Sequence, residues 1–310
     1  MKALVTGGAG FIGSNLVDTL ISQGNEVVVI DNESSDAHEN FYWNSYANNN
    51  KLDICDYKNT RELYEGVDAV FHLAAEARIQ PCIDDPVKAA NANVIGTCTV
   101  LQCAREAGVK RLMYSSTSAA YGLANIPPMK ESMPADCLNP YSVTKVAGEE
   151  LCKMYYRLYG LRTVIFRYFN VYGERQPVKG QYAPVIGIFL RQKNNKQPMT
   201  IVGDGSQKRD FVHVSDVVEA NIKASMLPDK PFYIENGIAN TMWDYGMVIN
   251  VGTGISYSVK EISEMIGGES IHLPPRIGEA RITLADNTLA KLVLNWHPKV
   301  MLEDWINKNK

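Results

Sequence analysis

The chain has 310 residues, 45% of them hydrophobic, enough to bury a large core as one extended domain or two. A net charge of -3 without a basic block argues against nucleic acid as the principal ligand. No apolar run approaches the ~18 residues that span a bilayer, and with a strand pattern from residue 3 no signal peptide is expected.

Ala3, Leu4 and Val5 read as a short buried strand, and Phe11, Ile12, Leu16, Val17, Leu20 and Ile21 recur at helical spacing. Between them lies GGAGFIGSN at 7–15, a strand-to-helix elbow. Its glycines permit a tight turn, a close backbone approach and tight helix packing, and the first helical N–H groups form an anion-binding mouth. Alone, such a loop is equally plain turn chemistry. Gly24-Asn25 then closes the helix, EVVVI at 26–30 is a second buried strand, and Asp31 ends it. That is the place where a dinucleotide fingerprint puts a ribose-binding carboxylate. From Asn32 to Asn50 there is no Lys or Arg to neutralise a 2′-phosphate, so the expected cofactor is NAD rather than NADP.

Further strands are expected at 69–75, 111–116 and 161–169, with helices over about 86–107 and 140–159. The alternation predicts an α/β fold, a Rossmann-type doubly wound parallel sheet whose ligands bind beyond the carboxyl ends of the strands. After residue 170 the pattern is mixed and proline-punctuated. The expected organisation is a 1–170 NAD-binding domain and a smaller mixed α/β substrate domain over 171–310, with strand or helix exchange between them allowed. The six cysteines form no Cys-x-x-Cys pair and read as reduced thiols of a cytoplasmic protein. The five histidines have no metal-ligand spacing, so no metal is expected.

In NPYSVTK at 139–145, Asn139 suits an N-cap and Pro140 the first helical position, which puts Tyr141 in the first turn and Lys145 one turn along the same face. An ammonium there and the positive helix end both favour a phenolate, making Tyr141 a candidate general base. An amphipathic helix with a packed tyrosine and a solvated lysine accounts for the same spacing. SSTSAAYG at 115–122 follows a strand and so stands on the ligand side, where small hydroxyls also serve as turn formers. Their joint occurrence on one sheet edge is what favours chemistry.

These motifs, with FHLAA, NVIGT at 93–97, RYFNVYGERQ at 167–176, GDGSQKRDFVHVSDV at 203–217 and PRIGEARITLAD at 275–286, make the chain resemble the extended short-chain dehydrogenase/reductases. Within them it is similar to the nucleotide-sugar 4-epimerases of the UDP-glucose and UDP-N-acetylglucosamine type. The resemblance implies an NAD site of Gly7, Gly10, Phe11, Ile12, Asp31, Asn32, Asp53, Ile54, Leu73, Ala74, Ala75, Asn93, Ser115, Tyr141, Lys145 and Tyr168. It implies catalysis by Thr117, Tyr141 and Lys145, and contacts to a UDP-sugar from Thr117, Asn170, Gln207, Arg209, Arg276 and Thr283. Asn170, Arg209 and Arg276 fall where the family holds the diphosphate, although Arg209 beside Asp210 reads equally as an ion pair.

Ser118 and Ala119 stand where related dehydratases carry an acidic pair, and neither can protonate a leaving hydroxyl. Epimerisation through a 4-keto sugar is therefore expected, with Tyr141 as base and Thr117 sharing the hydrogen bond. A uronate epimerase, a decarboxylase or a net oxidoreductase is the competing enzyme reading, and a catalytically silent NAD-binding regulator the competitor from another class. Thr283 falls at the family's gatekeeper beside the sugar C2 substituent, where a small residue implies that N-acetyl sugars fit. The resemblance further implies a homodimer through the helices at 86–107 and 140–159.

Overall fold

The computed structural model describes residues 1–310 apart from 36, 37, 39, 178–183, 236–239 and 275–280. In the first half the strands are β1 (Lys2–Thr6), β2 (Glu26–Asp31), β3 (Asn48–Lys51), β4 (Ala69–His72), β5 (Arg111–Thr117) and β6 (Arg162–Tyr168). The second half adds β7 (Asn170–Tyr172), β8 (Met199–Val202), β9 (Lys208–His213), β10 (Phe232–Glu235), β11 (Asn240–Trp243), β12 (Val248–Val251), β13 (Ser256–Ser258) and β14 (Ser270–Leu273). The central sheet has seven strands, all parallel, in the order β12-β6-β5-β4-β1-β2-β3. This is a Rossmann-type α/β fold.

Residue alternation explains why the strands read as continuous apolar runs. Ala3, Val5, Val29, Phe71, Met113 and Phe166 pack on one face against Leu16, Val17 and Leu20 of the first helix, Phe11–Ser22. Leu4, Val28, Ile30, Val70, Leu112 and Ile165 pack on the other against Val100, Leu101 and Cys152. A sheet covered on both faces has no polar side, so each strand must be apolar throughout.

The helix Pro140–Tyr159 starts as its sequence predicts. Asn139 accepts from the Ser142 N–H at 2.9 Å and Pro140 opens the first turn, while Gly160 at φ 72 closes the helix in the left-handed conformation. The helix expected over 86–107 is built in three pieces, Pro86–Ala90, a π-helical turn at Asn91–Gly96, and Thr97–Glu106. β4 ends at His72, short of the expected residue 75, because its partner β1 ends at Thr6 and the chain turns into the glycine loop. A Cβ on Gly7, whose φ is +69, would lie 2.7 Å from the Ala74 nitrogen, so residues 73–75 run hard against the glycine loop instead of extending the sheet.

The second half returns to the first. β12 pairs with β6, and Val217, Val218 and Ala220 of the helix Val214–Ser225 share one core with Val17 and Leu20. A cut at residue 170 would therefore run through the sheet and its helical layer. The remaining strands form smaller sheets, β13-β9-β7, β14-β8 and the β10-β11 hairpin. No helix among the described residues is long and apolar enough to cross a membrane.

Candidate functional site

A cleft of about 1010 Å³ opens along the carboxyl ends of the central strands and runs into the second half of the chain. Gly7, Gly10, Phe11 and Ile12 floor one end. A Cβ on Gly13 would meet the Gly7 carbonyl oxygen at 2.0 Å, so the elbow closes only with glycine there. Asp31, 8% exposed, accepts from Ala9 N–H at 3.0 Å and Glu33 N–H at 2.8 Å. Burial raises its carboxyl above the usual range, and these two bonds oppose the rise. Next to it Asn32 donates to Asp53 at 2.9 Å, and Ile54 packs so close to the π-helical turn that a Cβ on Gly96 would lie 2.6 Å from its Cδ1. The π turn therefore presses on the wall beside Asp53 and Ile54.

Leu73, Ala74, Ala75, Ser115 and Tyr168 continue the lining. Tyr168 accepts from both Ser115 at 3.1 Å and Asn221 at 2.7 Å, which fixes its ring against the cleft. Asn93 does not line it. Fully buried, it accepts from Glu76 N–H at 2.8 Å and donates to Glu76 O and Thr144, both at 3.0 Å. Its amide is spent pinning the segment after β4 to the helix Pro140–Tyr159, which corrects the cofactor contact expected of it.

The helix start and the end of β5 bring Tyr141 and Thr117 into the same wall of the cleft. Burial raises the phenol above its ordinary value, and the Thr117 side chain opposes the rise. Lys145 lines the same cleft, one helical turn after Tyr141. Its ammonium stands over the Tyr114 ring at 4.4 Å, and burial lowers it to about 8. Behind the pair, fully buried Glu149 takes two bonds from Arg167, at 2.9 and 2.8 Å, and one from Ser116 at 2.5 Å. One carboxylate thus ties the helix to the ends of β5 and β6, next to Thr117 and Tyr168.

In the other arm, Asn170, Gln207, Arg209 and Thr283 all face the cleft. Asn170 donates to Asp210 O at 2.9 Å and to Thr283 Oγ1 at 3.2 Å, so it meets a ligand as an acceptor. An acceptor oxygen suits a hydroxyl and not a phosphate, which alters the diphosphate role implied for it. The Asp210 carboxylate is held by the N–H groups of Thr253, Gly254 and Ala285 and the Thr253 hydroxyl. Arg276 lies outside the described residues. No motif announces Gln192 and Thr200, which bond to each other at 2.9 and 3.0 Å in the far wall. Among the described residues no cluster of His, Cys, Asp or Glu could hold a metal ion.

A glycine elbow between a strand and a helix, with a carboxylate at the end of the next strand, is the site of a dinucleotide enzyme. The chain belongs to the NAD dependent epimerase/dehydratase family, whose sequence model matches residues 3–232. It is 39% identical over 321 residues to a UDP-glucose 4-epimerase of Mycolicibacterium smegmatis, covering 99% of this chain and 97% of that one. A crystal structure of UDP-glucose 4-epimerase from Thermotoga maritima with UDP-glucose superposes with a TM-score of 0.88 at 35% identity, covering 100% of this chain and 97% of that one. The UDP-glucose 4-epimerase of Thermus thermophilus, solved in complex with NAD, gives 0.86 at 30% identity with the same coverage. NAD is the cofactor of this family, and the glycine cradle and the Asp31 acceptor fit it.

Proposed function

We propose that the chain is an NAD-dependent UDP-sugar 4-epimerase that interconverts UDP-glucose and UDP-galactose and also takes the N-acetyl forms. The observation that carries this is that Thr117, Tyr141 and Lys145 line one cleft of about 1010 Å³ together with the glycine elbow on one side and Gln207, Arg209 and Thr283 on the other. When bound, NAD supplies the hydride acceptor and donor for the sugar C4. In its phenolate form, which the positive charge of Lys145 favours, Tyr141 takes the sugar 4-hydroxyl proton to become the phenol and returns it to the hydroxyl of the opposite configuration, with Thr117 sharing that hydrogen bond. Lys145 keeps positive charge beside the reacting oxygens. Neither Ser118 nor Ala119 can act as an acid toward the 6-hydroxyl, which disfavours dehydration.

In this reading residues 1–170 hold NAD, while Gln207, Arg209, Arg276, Asn170 and Thr283 hold the sugar nucleotide from the 171–310 half. Arg209 and Arg276 hold the diphosphate, since arginine suits bidentate phosphate contacts. The protein is a homodimer through the helices at 86–107 and 140–159, where Val87, Ile95 and Val143 are 77%, 55% and 52% exposed. Six free cysteines suit the reducing cytoplasm.

The test is to incubate the purified protein with UDP-glucose, UDP-galactose, their N-acetyl forms and UDP-glucuronate and to resolve the products. Interconversion at C4 without accumulating NADH is expected. Release of carbon dioxide, or net NADH formation, would overturn the epimerase assignment.

A further inference from the structure

Lys145 is 2% exposed, yet among the described residues no carboxylate forms an ion pair with its Nζ. What the ammonium meets is the face of Tyr114, 4.4 Å from the ring centroid. Tyr114 belongs to β5, three residues before Thr117, and is completely buried. Its hydroxyl donates to the backbone carbonyl of Lys145 at 3.1 Å, so one side chain touches both ends of the lysine. The helix is cut to receive it. A Cβ on Gly148 would stand 2.1 Å from the Tyr114 oxygen, so this mid-helix glycine makes room for the phenol.

We propose that Tyr114 is a positioning residue of the catalytic set, a cation–π platform that keeps the Lys145 ammonium charged and aimed where no carboxylate pairs with it. The quadrupole of an aromatic face attracts a cation most strongly when both are out of water, as here. A carboxylate partner would hold the charge more firmly but would also draw the lysine away from the cleft. A ring supports it from behind and leaves its N–H donors directed outward. The other groups around the ammonium are Glu149 and Cys152 on its own helix, Cys82 from the helix Ile79–Asp84 and His72 from β4. Glu149 is already engaged by Arg167 and Ser116, and His72 is held neutral by burial.

The proposal rests on Lys145 belonging to the catalytic set, so its test carries a readout that does not depend on turnover. Tyr114→Phe keeps the ring face, and placing mono-, di- and trifluorinated phenylalanines at position 114 weakens the quadrupole at nearly constant shape. The Lys145 pKa is read from the pH dependence of its acetylation by acetic anhydride, resolved by mass spectrometry on the NAD-loaded protein. The alkaline limb of kcat is followed in parallel. Stepwise fluorination is expected to lower the Lys145 pKa by about one pH unit in total, tenfold in proton affinity, with the limb moving in step, while Tyr114→Phe stays close to the parent. A Lys145 pKa that stays in place across the fluorinated series overturns the proposal. A moving pKa in a protein without epimerase activity upholds the platform and refutes the functional assignment instead.

Discussion

Asn170 donates its amide hydrogens to the Asp210 carbonyl and to the Thr283 hydroxyl, so Thr283 both borders the cleft and fixes which end of Asn170 faces it. Thr283 is small, and a phenol ring at this position would fill the space that an acetamido group needs. Thr283→Tyr is therefore expected to lower turnover of UDP-N-acetylglucosamine on the order of a hundredfold while leaving UDP-glucose within about tenfold. Thr283→Ser, which keeps the acceptor for Asn170, should preserve both. Comparing kcat/KM for the two sugars decides it, and equal losses in Thr283→Tyr would refute the gatekeeper role.

Tyr141→Phe removes one hydroxyl and leaves the ring in place. A kcat reduced by roughly 10²–10⁴ is expected, with NAD content and UDP-sugar affinity close to the parent. Turnover is followed by product chromatography and NAD by absorbance after denaturation. Near-normal turnover would mean that the proton goes elsewhere.

Asp31 accepts the N–H groups of Ala9 in the glycine loop and of Glu33 just beyond β2, and lines the cleft with Gly7 and Gly10. Asp31→Ala combined with Asn32→Arg exchanges an acceptor for a phosphate partner. The double variant should bind NAD at least tenfold more weakly by calorimetry, about 1.4 kcal/mol, and gain measurable affinity for NADP. Unchanged NAD affinity would show that the ribose end has been placed wrongly.

His72 is completely buried between Thr6 and Thr97, at 2.7 and 2.9 Å, and burial lowers its pKa from 6.5 to about 3. A folded-state value below the unfolded one means that the unfolded chain binds the extra proton, so stability falls as pH drops below 6.5 and continues to fall toward 3. By pH 4.5 this one group should cost about 3 kcal/mol relative to pH 7, at ~1.36 per pH unit. Urea unfolding at the two pH values measures it, and His72→Gln should remove that share of the difference. An identical pH dependence in the variant would assign the loss to other groups.

Much of the nucleotide half was legible because its signals are local. Gly7 to Gly13, the apolar strand and Asp31 lie within one strand–helix–strand unit, and the cap at Asn139 declares the start of the helix that carries Tyr141 and Lys145. What spacing cannot show is where a side chain turns. Lys145 and Tyr141 sit one helical turn apart, yet the ammonium is directed at Tyr114, a residue chosen by β-sheet position rather than by helix spacing. Asn93 belongs to a motif with a cofactor role in the family, but its bonds to Glu76 and Thr144 depend on long-range packing. Gln192 and Thr200 escaped notice because the second half has short strands and no repeating unit from which to count.

The return of β12 to the edge of β6 governs how the polypeptide can be made. Until residues 248–251 have left the ribosome, β6 presents an unpaired row of peptide groups, and the surface meant for the helix Val214–Ser225 is bare. A nascent chain at that stage is a template for edge-to-edge association, the hazard that unpaired strands carry during synthesis. Closing the sheet also waits on a loop of about eighty residues, which slows the last step more than it weakens the finished fold. Expression of the first half by itself should give aggregates rather than a small cofactor-binding module, and splitting the gene near residue 170 is the wrong place to seek independent parts.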